Sequence, residues 1–380
     1  MKGTDRPRHY FDHAATTPMR QVAQEVWLKY ASSLNPGGLY ASGREAVAVL
    51  ATAREMVGEA LGCDRIEVIF TGSGTEADNI AIRGMYEHGR GSGHRVVTTP
   101  IEHAAGLETI RSLPAADVDY LPVGPDGHVS DLSALDIPAV LASVMWANNE
   151  TGAIQPISEI AQRAAAVATP VHVDAVQVVG HLPVNFRELG VASLAASAHK
   201  FGGPRGVGIL LVTRSAPMSP TLTGGGQERG LRSGTNDVAG AIAAAYALQE
   251  AIGEMEQESI RLARLTDTLR RGLVTAIPDL VVHTHAPHLP GHLFVSFPGA
   301  EADSLIMLFD AAGMEVAAGS ACSSGVTRAS YVLEAMGVDD ATARAAIRFT
   351  LGRTTTQSDV DALLAVVPDV VARARLAGMA

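Results

Sequence analysis

The chain is 380 residues long and 47% hydrophobic, with 29 Lys+Arg against 40 Asp+Glu and a formal net charge of −11. That composition excludes a disordered chain, and the length allows roughly two to three domain equivalents and a large core. The acidic balance, without a basic run, excludes a nucleic-acid binder, because phosphates are held by clustered Lys and Arg.

The segment Met1–Arg8 is charged and lacks the apolar stretch of a secretory signal. The longest stretch free of charged residues, Leu280–Ala300, contains three Pro and four His, so no membrane span is expected. Two cysteines, Cys63 and Cys322, are too few for a disulfide framework and fit a reducing, cytoplasmic setting.

Helical periodicity marks Arg20–Ser33 and Arg44–Leu61, the latter stopped by Gly62. Strands are expected at Glu67–Thr71, Arg95–Thr98, Val118–Leu121, Ala139–Trp146, Val171–Asp174, Ala192–Ser197 and Gly208–Val212. Helices alternate with them at Thr75–Glu87, Ala104–Leu113 and Ile157–Ala168, a pattern that predicts a mostly parallel α/β sheet. A long helical zone, Asp237–Leu273, leads to a second unit. From Leu280 onward that unit reads as strand, helix (Ala302–Ala312), a Gly/Ser-rich loop (Gly319–Gly325) and two more helices.

Ligands of such sheets bind beyond the carboxyl ends of the strands, and the unusual polar residues fall there. Gly72-Ser73-Gly74-Thr75 opens a helix where free N–H groups and the dipole favour a phosphate. Lys200 lies in the nearly uncharged stretch Ala192–Gly203, where a lowered pKa frees the amine for condensation with an aldehyde. Asp174 ends a strand as a carboxylate suited to a protonated pyridine nitrogen, and His103 can lie flat over that ring. Together these predict pyridoxal phosphate. Taken singly, each residue has a blander reading as a cap, a solvated lysine or a loop histidine.

Cys322, in a small-residue loop with Arg328 nearby, reads as a reactive thiol or as a merely exposed one; Cys63 reads as structural. Arg348 on an apolar segment needs either a substrate carboxylate or an internal ion pair. His283, His285, His288 and His292 are irregularly spaced through prolines, so no metal site is expected. An NAD(P)-dependent oxidoreductase using the Gly72–Ala77 loop, and a non-catalytic sulfur-relay protein, stay open as alternatives.

The segments Phe11–Pro18, Phe70–Asn79, Ala147–Gly152, Val173–Gln177 and Ser197–Lys200 carry a resemblance that continues through Gly226–Arg229, Arg232–Thr235 and Gly319–Cys322. In that order they resemble the pyridoxal-phosphate cysteine desulfurases of the NifS/IscS type. The resemblance implies a fold-type-I homodimer with a large domain over residues 15–255 and a small α+β domain from residues 1–14 and 256–380. It implies that Lys200 holds the cofactor covalently, Asp174 its ring nitrogen and Gln177 its ring hydroxyl. His103 would stack on the ring, and Asn149 would contact ring and substrate. Gly74, Thr75, Ser197 and His199 would bind the phosphate, with Thr235 reaching that of the neighbouring subunit. Asn35 and Arg348 would bind L-cysteine, and Cys322 would accept its sulfur. The eight-residue step from Cys322 to Ser330 resembles the long-loop class, which delivers sulfur to acceptor proteins in iron–sulfur cluster assembly or thiolation.

Overall fold

Seven strands of four or five residues, apolar except at the edge strand Asp117–Tyr120, form the sheet that organises the computed structural model, which describes residues 7–319 and 329–378. The chain starts with strand β1 (His9–Tyr10) and helices α1 (Gln21–Tyr30) and α2 (Ala41–Leu61). Gly62 ends α2 in the left-handed conformation, φ 68°, which glycine adopts without steric cost. Alternation follows as β2 (Val68–Thr71), α3 (Gly74–Gly89), β3 (Arg95–Thr98), α4 (Ala104–Arg111), β4 (Asp117–Tyr120) and β5 (Leu141–Met145). Next come α5 (Ile157–Ala166), β6 (Val171–Asp174), α6 (Phe186–Leu189), β7 (Ser193–Ser197) and β8 (Gly208–Val212).

The sheet order is β2-β8-β7-β6-β5-β3-β4. Pairs from β7 to β4 are parallel, and β8 runs against both β7 and β2. Strands β5, β7 and β8 are buried along their whole length, which is why they read as continuous apolar runs rather than alternating ones. The expected strands and helices lie within a few residues of these bounds; the four-residue α6 was not expected.

Helix α7 (Val238–Ala276) has 39 residues and is about 58 Å long at 1.5 Å per residue. Its first half places Ile242 and Leu248 in the core under the large sheet, and its second half places Leu262, Leu265 and Leu269 in a separate core. That second core is built with β9 (Val281–Val282), β10 (His292–Ser296), α8 (Ala302–Ala311), β11 (Met314–Glu315) and β12 (Ala317–Ala318). It is completed by β13 (Ala346–Thr350) and α11 (Gln357–Gly378), while α9 (Tyr331–Ala335) and α10 (Asp340–Arg344) pack in a smaller cluster with Ile101 and Phe294. Strands β12-β13-β10-β9 make an antiparallel sheet, and β1 pairs with β11, tying the N-terminus to this half.

One expectation is corrected here. The two helices expected after the Gly/Ser loop are three, and strand β13, which carries Arg348, lies among them. Its run Ala-Ile-Arg-Phe-Thr is too short to reveal a period, and pairing with β10 and β12 decides its conformation. No helix among the described residues is long and apolar enough to cross a membrane.

Candidate active site

Five strand ends converge on one cavity of about 190 Å³. After β2, Ser73 caps α3 by accepting the Glu76 N–H at 3.1 Å, which leaves the first N–H groups of the helix, from Gly74 onward, without intrahelical partners. A Cβ on Gly74 would stand 2.7 Å from Val176 Cγ2 and 3.2 Å from Ser197 Cβ, so only glycine brings this helix end so close to the neighbouring strands. The result is an anion cradle of backbone amides with Ser197 and His199 beside it.

Lys200 lies in a 3-10 turn (Ala198–Lys200) directly after β7. Its Nζ donates to the carbonyls of Ala14 and, at 3.0 Å, of Ala15. Burial, with Arg348 adding to it, lowers its pKa to about 8, against the pull of Asp174 and Asp12. Asp174 ends β6 and accepts the Val176 N–H at 2.9 Å. Burial raises its carboxyl above the usual range, opposed by His103, that amide and Lys200, so it is poised for a further cationic partner. His103 caps α4 through Nδ1, which accepts from Ala105 N–H at 3.1 Å, so its proton sits on Nε2. Its ring opens onto the cavity, yet enough protein surrounds it to lower its pKa. Gln177 donates to Ala14 O at 3.0 Å, and Asn149 presents a buried Oδ1 with no hydrogen-bond partner among the described residues.

Nine of the ten expected cofactor residues line this cavity: Gly74, Thr75, His103, Asn149, Asp174, Gln177, Ser197, His199 and Lys200. The tenth, Thr235, does not. It lines a separate cavity of about 320 Å³ with Asn35, Gln227 and Arg54, so neither Asn35 nor Thr235 meets Lys200 within one chain. Arg348 is 6% exposed and donates to Asp12 Oδ1 at 2.6 Å and to Asn149 O at 2.8 Å. The internal ion pair considered for it is therefore present, while its Nε is buried without a partner. Cys322 lies outside the described residues. Cys63 is buried, with its thiol pushed up to about 12, first by burial and then by Glu67 and Asp64.

The sequence assigns no role to the carboxyls buried at and behind the cavity, although Glu102 and Glu150 stand at strand ends. Asp78 lines it one helical turn beyond Gly74, and its Oδ1 lies 3.2 Å from Nε2 of His172, whose Nδ1 is 2.7 Å from Ser193 Oγ. Glu102 accepts from Thr99 at 2.6 Å and from Met145 N–H at 2.9 Å, and burial raises it to about 8. Glu150 accepts from Ser330. A buried acid on an apolar helix face, as Asp78 is, was the available signal. No group of three or more His, Cys, Asp or Glu able to hold a metal exists among the described residues. The C-terminal histidines face different partners: His283 Nε2 lies 2.7 Å from Ser296 Oγ, and His288 Nδ1 lies 2.8 Å from Leu289 O.

Residues 9–363 match the family described as aminotransferase class-V. An IscS-like cysteine desulfurase of Mycobacterium tuberculosis is 44% identical over 98% of both chains. A solved NifS-like protein superposes with a TM-score of 0.89 at 35% identity, covering 96% of this chain and all of that one. A structure of SspA in complex with cysteine gives 0.79 at 27% identity, over 92% of this chain and 100% of SspA.

Proposed function

The chain belongs to the class-V aminotransferase family, and on that premise we propose that it is a cysteine desulfurase, taking sulfur from L-cysteine and releasing L-alanine. Enzymes of this family use pyridoxal phosphate, and the Lys200 cavity suits that group. It offers an amine of lowered pKa, an anion cradle closed to any Cβ at Gly74, an acid lacking a full cationic partner and the orphaned Asn149 Oδ1. The single observation that carries the reading is Lys200 and Asp174 sharing one cavity with the α3 amides.

Bound there, the cofactor supplies an aldehyde for the substrate amine and a cationic ring that draws electrons from the substrate Cα. The chain does the rest. Lys200 holds the cofactor at rest and, once freed, takes the Cα proton on Nζ, which its lowered pKa permits. Asp174 holds the ring-nitrogen proton, and Gln177 the ring hydroxyl. His103 covers the ring, while Gly74, Thr75, Ser197 and His199 bind the phosphate. Asn149 and Arg348 orient the substrate, Arg348 by turning its guanidinium to the carboxylate. The Cys322 thiolate attacks the substrate Sγ. An S–S bond forms as Cβ–Sγ breaks, its electron pair stays with carbon, Cβ takes up one proton, Lys200 Nζ returns one to Cα, and L-alanine leaves. No outside oxidant enters, and Cys322 carries the persulfide.

We read residues 15–255 as a large unit and residues 1–14 with 256–380 as a small one, supported by the two cores that α7 joins. A homodimer would bring Thr235 and Asn35 to the partner's cavity. Leu39, 91% exposed four residues after Asn35, together with exposed Tyr40 and Val47, gives that face an apolar character suited to a second copy. A thiol that must stay reduced fits the cytoplasm, and its sulfur would pass to an acceptor protein of cluster assembly or thiolation.

The test is cysteine turnover. Cys322→Ala should release no alanine and form no persulfide while keeping the cofactor's absorption. Lys200→Ala should lose covalent attachment, measured as pyridoxyl label after borohydride. Normal turnover in Cys322→Ala, or unchanged label in Lys200→Ala, would refute the assignment.

A further inference from the structure

Lys200 has a second side. Two cavities of about 50 Å³ each lie behind it, and both are lined by His13, His181, Glu258 and Leu262. Lys200 lines one of them, and Gln177 and Ala14 line the other. Lys200 and Gln177 also line the cofactor cavity, so these two side chains stand between front and back. At about 10–15 Å³ per water, each rear cavity of about 50 Å³ has room for roughly three to five waters.

The rear walls carry hydrogen-bonding capacity that the protein leaves partly unused. His292 lines the first cavity and is 7% exposed, and its buried Nε2 has no partner among the described residues. A buried nitrogen beside a polar cavity is normally satisfied by water. His181 Nε2 donates to the Lys200 carbonyl at 3.1 Å, leaving Nδ1 as an acceptor. His13 Nδ1 sits 2.8 Å from Thr17 Oγ1, with Nε2 3.4 Å from Thr355 Oγ1. Burial lowers the pKa of all three rings, His13 to about 4. The charged and titratable groups facing them are Arg261, Arg353, Asp359 and His181 at His13, Arg20, Lys200 and Glu258 at His181, and Arg348, Lys200, His181 and His288 at His292. A neutral imidazole offers one donor and one acceptor, which is what passing a proton along a chain of waters requires. The far wall reaches Glu258 and Ser259 on α7, both half-buried at the surface.

We propose that the two cavities form one hydrated path through which His292, His13 and His181 exchange the proton on the Lys200 amine with solvent at the Glu258–Ser259 face of α7. The inference rests on Lys200 as the amine that takes the Cα proton. It adds how that amine is reset, by proton transfer alone and with no redox partner. The histidines are positioning residues, since none touches substrate.

Two readouts separate the path from the reaction. In holoenzyme, exchange of the L-alanine Cα hydrogen with D2O over many turnovers should fall about 10²-fold in His292→Leu and His181→Leu, the low end of a general acid–base contribution. His292→Gln and His181→Gln, which keep a polar atom toward the waters, should restore most of it. The second readout uses the cofactor-free chain, which has three lysines, Lys2, Lys29 and Lys200, so 15N labelling of lysine side chains gives an assignable spectrum. There the Lys200 signal should exchange protons with water more slowly in both Leu variants and at the parent rate in the Gln variants. Equal Lys200 exchange in parent and Leu variants overturns the path. A parent enzyme that exchanges no Cα hydrogen overturns the reaction assigned to Lys200, while the lysine spectrum still decides the path.

Discussion

The carboxyl edge of the large sheet and the inner face of the small sheet both supply groups to the site, but they hold them differently. At the large-sheet edge, Asp174, Ser197 and Lys200 sit at strand ends and turn spare hydrogen-bonding or charge capacity into one cavity. At the small sheet, the polar groups are largely satisfied by the protein itself: Arg348 by Asp12 and the Asn149 carbonyl, Ser330 by Glu150. The first arrangement is rigid backbone presenting unmet demand. The second is a seam whose polar contacts also hold the two halves together. Substitutions should therefore remove chemistry at the edge and cost stability at the seam.

The sharpest test of the edge is Asp174→Asn. It keeps the shape and the bond from Val176 N–H but cannot keep a ring-nitrogen proton in place. Alanine release should fall about 10²- to 10⁴-fold, the span of a positioned acid–base group, while the melting temperature stays within a few degrees of the parent. A loss of stability in step with activity would break the distinction, because Asp174 would then be holding the fold.

The same distinction explains what could be read from residues alone. Strand ends were legible because β5, β7 and β8 are buried on both faces, so polar residues stand out where the apolar runs stop. Gly74, His103, Asp174 and Lys200 could be placed on that ground, before any resemblance was invoked. Arg348 could be suspected but not placed, because a five-residue strand with alanine and β-branched residues carries no decisive period. Asp78 and Glu102 were missed as buried acids since burial of a carboxyl depends on tertiary packing that spacing does not report. Asn35 and Thr235 entered through the resemblance, and one chain holds them apart from Lys200.

At the seam, Arg348→Ala should act on both properties. Removing the guanidinium leaves the Asn149 carbonyl without its donor and Asp12 without its cation. Deleting one partner of a buried pair typically costs about 3–5 kcal/mol, and the lower end is expected because Asp12 keeps some solvent. If Arg348 also meets the substrate carboxylate, KM for cysteine should rise more than kcat falls. Denaturant midpoints and steady-state kinetics on one preparation measure both. A variant that loses stability with KM unchanged would leave Arg348 as a seam residue alone.

The smallest effect, and the one that isolates the seam from the chemistry, belongs to Glu150. Burial raises its carboxyl to about 7 from 4.5, against the Ser330 hydroxyl and Arg348, so the folded protein holds this proton more tightly than the unfolded chain. The stability it contributes is full below about pH 4.5 and is lost as pH rises through about 7. Glu150→Gln mimics the protonated acid and can still accept from Ser330. At pH 5 it should melt with the parent, and at pH 8 it should melt higher by roughly 1–2 °C, the shift that about 1 kcal/mol gives at ~2.1 cal/mol/K per residue in a chain of 380 residues. Parallel melting curves at both pH values would mean that Glu150 is already ionised in the fold and held by Arg348, joining it to the ion pair with Asp12 rather than to the Ser330 bond.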